Sequence, residues 1–270
     1  MGAIPRIYLD CVFYIYPNRS SAEKGERAGG TGFLCAKRLG ITDQVFLVTN
    51  RHVIEPMEEP HIRLNLRESA GVEVVRIPKS WWQKHSEGDD LSVSQVDLSA
   101  EKYRIAWVYD RSFIDDQILE QENVGLGDSV AMLGRFSSHD GKLQNSPSAR
   151  FGHIAMLAAD PIENDFGHLQ ETIVIECFSL KGYSGSPVFW FRRSTAISDD
   201  AIMNSRCVYL LGVNWMHFEE KQSISEGVRS SSDAFVKDHT GMSGLIPAWR
   251  LTRLLSTFDP PTSVDTDAQP

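Results

Sequence analysis

Short apolar segments recur along the whole chain, and clusters of Gly, Pro, Asn, Asp and Ser separate them. Several of these segments alternate apolar and polar residues, which is typical of strands in β-sandwiches and barrels. The pattern predicts strands over 12–16, 32–37, 45–49, 62–66, 72–77, 91–96, 129–134, 150–157, 172–176, 187–191 and 208–215, with the apolar start at 7–16 belonging to the first. These strands would fill two small six-stranded barrels, so the sequence predicts an all-β fold.

A few segments depart from the strand pattern. Residues 248–255 carry apolar side chains at helical spacing directly after Pro247, which predicts a C-terminal helix. The acidic and apolar stretch 113–121 is predicted to be partly helical. Exposed loops are predicted at 137–148, 192–204 and 219–241, the last of them mobile. The polar residues 259–270 lack an apolar anchor and predict a disordered tail.

The charge of the chain excludes two classes of partner. The sequence has 270 residues and a formal net charge of −9, whereas nucleic acids and anionic membrane surfaces are bound by basic stripes. No run approaches the roughly 18 apolar residues of a membrane-spanning helix. The N-terminal segment has no basic region and no small-residue cleavage site, so we do not interpret it as a signal peptide.

The four cysteines, Cys11, Cys35, Cys177 and Cys207, form neither a CxxC nor a Cys/His pattern. We therefore expect no structural zinc, no other metal and no cofactor. We interpret them as small buried residues with free thiols. Free thiols without a signal peptide predict a cytoplasmic protein.

The most informative stretch is the segment KGYSGSPV at 181–188. Glycines on both sides of Ser184 suit a tight turn that enters a buried strand, because glycine permits a positive φ and a close approach of other groups. Such a turn can expose Ser184 Oγ while the N–H groups of Gly182 and Ser184 point into the same space, where they would stabilise a tetrahedral oxyanion. Alone, the segment also fits a polar turn before a strand.

A serine hydroxyl becomes reactive when an imidazole accepts its proton and a carboxylate orients that imidazole. Upstream, the apolar strand at 45–49 ends in a polar turn that presents His52. Asp90 opens a strand whose residues continue in strict alternation. Asp97 also precedes Leu-Ser, but no strand follows it, and Asp89 would point to the opposite side of the chain. Asp90 is the predicted partner of His52, with Asp97 and Asp89 as alternatives.

These stretches together resemble the trypsin/chymotrypsin-like serine peptidases, in particular the bacterial branch that includes glutamyl endopeptidases and Htr-type proteases. The segment TNRHV at 49–53 is similar to that branch's Thr-Asn-Lys/Arg-His-Val, and DLSV at 90–93 is similar to its Asp-Leu-Ala-Val. GYSGSPV at 182–188 is similar to its Gly-Asn-Ser-Gly-Ser/Gly-Pro-Val, and GTGF at 30–33 matches its Gly-Thr-Gly-Phe.

The resemblance implies a fold and its boundaries. We expect a chymotrypsin-like double six-stranded β-barrel with a C-terminal helix, forming one peptidase domain over 1–258. The N-terminal barrel would cover about 1–110 and the C-terminal barrel about 122–258, with a linker between them around 103–126.

The resemblance also implies an activity, that of a serine endopeptidase acting through an acyl-enzyme. Ser184 would be the nucleophile, His52 the general base and Asp90 the orienting carboxylate. The backbone of Gly182 and Ser184 would form the oxyanion hole. A polypeptide substrate would pair with the edge strand around 212–217 by β-addition.

The expected substrate pocket departs from two known specificities of the family. Phe178 stands where trypsins carry an acid, so a preference for Arg or Lys is not supported. Asn214, Trp215, Met216 and His217 replace the His-Trp-Gly-Gly of glutamyl endopeptidases, so a preference for Glu is not supported either, although His217 could substitute for that His. These bulky residues predict a shallow pocket for small apolar side chains.

Two differences from zymogen peptidases predict how the activity of the enzyme is controlled. Tyr183 stands where zymogen peptidases carry the acid that pairs with a freed N-terminus, and no Ile/Val-Val-Gly-Gly segment occurs near residue 1. We therefore expect a partner protein or sensor to switch the enzyme on, as in effectors of bacterial stress or phage defence.

Two other functions stay open at this point. One is a catalytically silent peptidase fold that binds protein, and the other is an esterase with the same triad. The α/β-hydrolase fold is disfavoured, because Ser186 and Pro187 lead into a strand rather than a helix.

Overall fold

The computed structural model describes residues 4–136, 141, 143–157, 160–178, 182–192, 207–223 and 235–258. Strands dominate these residues, and a helix follows the last strand, so the predicted all-β class with a C-terminal helix is confirmed. Most of the predicted loop at 192–204 and the predicted tail at 259–270 lie outside the described residues.

The N-terminal half forms one sheet that continues from strand to strand without closing. Its strands, in the order β5-β4-β1-β2-β3-β7-β6, are joined antiparallel, and β8 pairs parallel with β2. They are β1 (Val12–Tyr16), β2 (Gly30–Leu39), β3 (Thr42–Thr49), β4 (His61–Asn65), β5 (Val72–Arg76), β6 (Gln83–Lys84), β7 (Ser92–Val96) and β8 (Val108–Tyr109). The end strand β6 has only two residues. In the described residues the end strands β5 and β6 do not pair with each other, and a half-barrel takes the place of the closed first barrel predicted.

The C-terminal half forms a closed barrel in the described residues, in the order β10-β13-β16-β15-β14-β9. A separate hairpin of β11 and β12 is inserted between β10 and β13. The strands are β9 (Ser129–Gly134), β10 (Ser148–Met156), β11 (Ile162–Glu163), β12 (Leu169–Gln170), β13 (Ile173–Glu176), β14 (Pro187–Arg192), β15 (Cys207–Ser223) and β16 (Phe235–Pro247).

Helices are short and lie at the ends and corners of the sheets. In the described residues they are α1 (Arg19–Lys24), α2 (Arg51–Ile54), α3 (Asp116–Gln121) and α4 (Ala248–Ser256), with 3-10 turns at Arg6–Cys11, Lys79–Trp81 and Asp110–Ser112. The Asn18 side chain caps α1 by accepting from the Ser21 N–H, which stabilises an exposed helix start. The helix α4 buries Leu251, Leu254 and Leu255 against the barrel.

Two sequence expectations were wrong in this part of the structure. The segment 219–241 was expected to be a mobile loop, but β15 extends to Ser223 and pairs with β16 from Phe235 onward. The polar composition of this segment indicated a loop, yet its backbone pairs from Glu219 and His239 to Ser223 and Phe235. Residues 6–11 form a 3-10 turn instead of the start of the first strand, and Asp10 interrupts the apolar alternation there.

The two halves share one apolar core. Phe46 and Val48 of β3 belong to the same buried cluster as Phe189 of β14 and Ile246 of β16. This packing fixes the C-terminal end of β3 opposite the turn that enters β14. The residues after β3 and before β14 therefore face each other across a cleft between the halves.

Candidate active site

The turn at Gly182–Ser184 is held by hydrogen bonds to each of its carbonyl groups. Thr31 Oγ1 donates to the Gly182 carbonyl at 2.6 Å, and the Thr31 N–H donates to the Ser184 carbonyl at 2.9 Å. The Tyr183 carbonyl accepts from the Ser186 N–H at 3.0 Å and from Asn214 Nδ2 at 3.1 Å. Because a trans peptide is planar, the Ser184 N–H points away from Ser186 and Asn214.

Neither the Gly182 N–H nor the Ser184 N–H donates to a backbone carbonyl of the residues that the structure describes. Donors left without backbone partners at a turn can stabilise an oxyanion. The peptide that carries the Gly182 N–H begins at residue 181, which lies outside the described residues. Of the two predicted oxyanion donors, the structure therefore gives the direction of the Ser184 N–H.

Glycine at position 185 is required by both its backbone and its surroundings. Its φ is +84°, and a Cβ atom there would lie 2.1 Å from the Thr31 carbonyl oxygen and 2.4 Å from Thr49 Oγ1. Since both atoms belong to packed strands, they cannot move aside cheaply. This close approach seats the serine turn directly on β2.

We expect Gly185→Ala to lower the free energy of unfolding by about 3 kcal/mol or more, because it adds backbone strain and a clash with β2. Gly40→Ala is the matched control, since Gly40 has a φ of +61° and open space around its Cα. That variant should lose about 1 kcal/mol. Urea unfolding of both variants measures the difference, and equal losses would contradict the close packing at Gly185.

His52 lies in the short helix α2 and is oriented by Asp90. The distance from His52 Nδ1 to Asp90 Oδ2 is 2.5 Å, and the His52 N–H donates to Asp90 Oδ1 at 2.8 Å. The Asp90 side chain is 2% exposed and that of His52 is 29% exposed. With a carboxylate at Nδ1, the neutral ring carries its proton there, and Nε2 is left as an acceptor.

Of the three candidate carboxylates, Asp90 is the one that contacts His52. Asp97 is exposed after the end of β7. Asp89 is fully buried, and it binds Arg250 of α4 through Oδ2, with a distance of 2.5 Å to Nε.

Asp90 is itself fixed by neighbouring polar groups. Its N–H donates to Gln170 Oε1 at 2.9 Å, and its carbonyl accepts from Asn50 Nδ2 at 2.9 Å. Gln170 Nε2 donates in turn to Asp89 Oδ1 at 2.9 Å. The inserted hairpin β11–β12 therefore connects the two adjacent aspartates and restrains the backbone that carries Asp90.

Two histidines complete the surroundings of Asp89. His85 Nδ1 lies 3.1 Å from Asp89 Oδ2, and His168 Nε2 lies 3.2 Å from Oδ1. Burial lowers the pKa of His85 below its ordinary value of 6.5, and the cation of Arg250 adds to this, against the opposing effects of Asp89 and Glu87. The guanidinium already neutralises Asp89, so His85 remains neutral in the fold.

Acid should therefore weaken the fold through His85. Its pKa is lower in the folded state, so the unfolded chain takes up the proton first as the pH falls below 6.5, and stability decreases. We expect His85→Gln to reduce the dependence of the unfolding free energy on pH between about 7.5 and about 5.5. The exposed His153 gives the control His153→Gln; identical pH slopes in both variants would contradict this assignment.

His52, Asp90 and Ser184 line one cleft of about 430 Å³ between the two halves. Trp215, Met216 and His217 of β15 form its other wall. In the described residues, Ser184 Oγ makes no hydrogen bond to His52 or to another side chain. The three side chains are thus gathered in one cleft.

Some of the predicted specificity residues line the cleft, and the others, Asn214 and Phe178, lie outside it. Asn214 is 2% exposed and holds the serine turn, since its N–H donates to the Ser186 carbonyl at 2.9 Å and its carbonyl accepts from the Gly185 N–H at 2.8 Å. Phe178 is 47% exposed and is not among the residues that line the cleft. Its carbonyl accepts from Arg150 Nη1 at 3.0 Å.

Two cleft residues were not foreseen from the sequence. Asp165 comes from the hairpin β11–β12, and Glu219 comes from the extension of β15. His217 Nε2 lies 3.1 Å from Glu219 Oε1. Next to Asp165, the Phe166 ring packs on the Arg51 guanidinium. The central carbon of that guanidinium lies 3.7 Å from the centre of the ring. No motif marks these positions, because folding of two polar segments brings them to the cleft.

A larger groove of about 700 Å³ lies elsewhere, between β9, β10 and β14. It is lined by Phe151, His153 and Phe191 among others, and it contains none of the residues of the His52–Asp90–Ser184 cleft. Because this groove lacks the His52, Asp90 and Ser184 side chains, we place the candidate active site in the smaller cleft.

The fold matches solved structures although the sequence does not identify a family. No protein-family model and no curated protein matches the chain. The MamO protease domain from Magnetospirillum magneticum, in its apo form, superposes with a TM-score of 0.56 at 14% identity, covering 94% of this chain and 99% of that one. An inactive serine-to-alanine mutant of Rv3671c from M. tuberculosis gives a TM-score of 0.51 at 13% identity, covering 95% and 90%.

The chain has a chymotrypsin-like protease fold. At these identities the likeness concerns the fold, so the roles of the site residues must be argued from their own geometry. In that geometry, the His52–Asp90 pair and the serine turn face each other between the half-barrel and the barrel.

Other features of the described residues bear on the setting of the site. No helix among them is long and apolar enough to cross a membrane. Cys11, Cys35 and Cys177 are buried free thiols. Burial raises the pKa of Cys177 to about 11, against a smaller opposing effect of Arg150, so this thiol stays protonated and unreactive at neutral pH.

Proposed function

We propose that the protein is a serine endopeptidase. The observation that carries the proposal is the His52–Asp90 hydrogen bond of 2.5 Å in the cleft that also holds Ser184. A histidine oriented in this way, beside a serine on a glycine-flanked turn, can activate the hydroxyl as a nucleophile. The chymotrypsin-like protease fold supports the same reading.

The proposed reaction proceeds in two acyl-transfer steps. Ser184 Oγ attacks the peptide carbonyl carbon while His52 Nε2 takes the hydroxyl proton, and the amide bond breaks as His52 gives that proton to the leaving amine. Asp90 stabilises the imidazolium in between. The N–H groups of Gly182 and Ser184 donate to the oxyanion. A water molecule, deprotonated by His52, then hydrolyses the ester and restores Ser184.

An extended peptide is the proposed substrate because residues 215–217 of β15 line the cleft. On one side, Asn214, Met216 and His217 pair with β16, while pairing with β14 ends at Val213. A strand that continues past the end of a ladder, beside the nucleophile, can bind a peptide main chain by β-addition. Asp165 and Glu219 give the cleft wall negative charge, which disfavours acidic substrate side chains.

We also propose that the enzyme acts in the cytoplasm and is switched on by a protein partner or sensor, in the manner of a bacterial defence effector. The three free buried thiols support a reducing compartment. Tyr183, which stands where zymogen peptidases carry the acid that pairs with a freed N-terminus, supports control by a partner instead of by cleavage.

Cleavage of a fluorogenic peptide library by the purified protein, alone and with the products of neighbouring genes, tests the proposal. We expect cleavage after small apolar residues and none by Ser184→Ala. Strong cleavage after Arg or Glu would overturn the pocket assignment and leave the triad intact. Cleavage that persists in Ser184→Ala would overturn the proposed function.

A peptide-binding module without catalysis is the second candidate. It is favoured by the absence of a hydrogen bond from Ser184 Oγ to a described residue, since an unactivated hydroxyl does not attack. Such a module would bind library peptides, and it would release no product under any of the conditions above.

A further inference from the structure

The residue before the nucleophile is a fully buried tyrosine whose hydroxyl is tied to the neighbouring barrel wall. Tyr183 is 0% exposed, and its Oη lies 2.6 Å from Ser148 Oγ at the start of β10. Its ring packs over Gly134 of β9, where a Cβ atom would lie 2.7 Å from Tyr183 Cδ1. The side chain is therefore anchored to both strands that face the serine turn.

Arg150 of β10 adds a second connection to the same turn. Its guanidinium carbon lies 4.9 Å from the centre of the Tyr183 ring, and its Nη1 donates to the Phe178 carbonyl at 3.0 Å. One side chain thus contacts both ends of the segment that leads into the nucleophile. Such contacts restrain the chain on each side of Gly182.

From this arrangement we propose that the Tyr183–Ser148 hydrogen bond positions the oxyanion-binding turn from within the barrel; the inference rests on the proposed function. Tyr183 shares a peptide plane with the Ser184 N–H. A shift of the tyrosine that changes its backbone torsion ψ would therefore turn that donor away from the oxyanion. Tyr183 is a positioning residue, acting through Ser184, and needs no freed N-terminus to hold the turn.

The substitution pair Tyr183→Phe and Ser148→Ala removes this bond from either side. We expect each variant to lower kcat for p-nitrophenyl acetate hydrolysis by about tenfold, with KM unchanged, because the donor serves the transition state. Binding of phenylboronic acid, whose adduct with Ser184 places an oxygen at the oxyanion site, should weaken by the same factor. The double variant should lose no more than either single one.

Tyr109→Phe is the matched control, since Tyr109 Oη donates to Asp43 Oδ2 at 2.8 Å in the other sheet. It should lower the melting temperature to a similar extent without changing kcat or boronate binding. The inference is overturned if Tyr183→Phe and Ser148→Ala keep kcat and boronate affinity within about twofold of wild type, or if Tyr109→Phe loses as much of both. A wild-type protein with no esterase activity and no boronate binding, either alone or with the products of neighbouring genes, would overturn the proposed function together with this inference.

Discussion

Replacing Ser184 with alanine is expected to lower kcat for peptide cleavage by about 10⁶-fold, because no other group in the cleft can form the acyl-enzyme. His52→Ala should cost about as much, since the hydroxyl is then left without a base. Initial rates on the best peptide of the library measure both effects. Stability should change little, because Ser184 is only half-buried and its hydroxyl bonds to no described side chain.

Ser186→Ala is the control for these losses. Ser186 lies in the same turn, is fully buried, and its Oγ has no hydrogen-bond partner among the described residues. Its removal should leave kcat near the wild-type value. If Ser186→Ala abolished cleavage while Ser184→Ala retained it, the nucleophile would be assigned to the wrong serine.

Asp90→Asn is expected to lower kcat by about 10⁴-fold with little change in KM. The amide can still accept the His52 N–H through its oxygen, but its NH₂ group would then face Nδ1. This favours the tautomer with the proton on Nε2, which cannot accept a proton from Ser184. The same kinetic assay measures the loss.

Asp97→Asn separates this effect from a general change of charge. Asp97 is exposed and does not line the cleft, so its variant should keep full activity. A loss confined to Asp97→Asn would show that the register of the catalytic strand is displaced. Asp89 is unsuited as a control, because its carboxylate is buried against Arg250.

How far the sequence predicted the structure depended on how local the signal was. The strands Val12–Tyr16 and Ser129–Gly134 have the predicted bounds, because each is a short run of mainly apolar residues whose extent can be read within the segment itself. Local residue types also placed Ser184 between two glycines, both of which adopt a positive φ. Signals of this kind depend on a few adjacent residues, and these can be read directly.

The features that escaped prediction depend on contacts between distant segments. Gln170 reaches Asp90, and Asp165 reaches the cleft, only because an inserted polar hairpin folds back on the other half. The extension of β15 to Ser223 pairs a mainly polar segment with the start of β16, which the periodicity of either segment does not reveal. Likewise, closure of the first barrel would need β5 to pair with β6, two segments distant in the sheet, and in the described residues they do not pair.

Intact-mass analysis after treatment with a fluorophosphonate most directly tests whether Ser184 is an activated nucleophile. The wild-type protein, alone or with the products of neighbouring genes, should gain one phosphonyl group at Ser184, and His52→Ala should react at least about 10³-fold more slowly. A folded protein that never acquires the adduct would contradict the account, and so would one whose labelling rate is unaffected by the loss of His52.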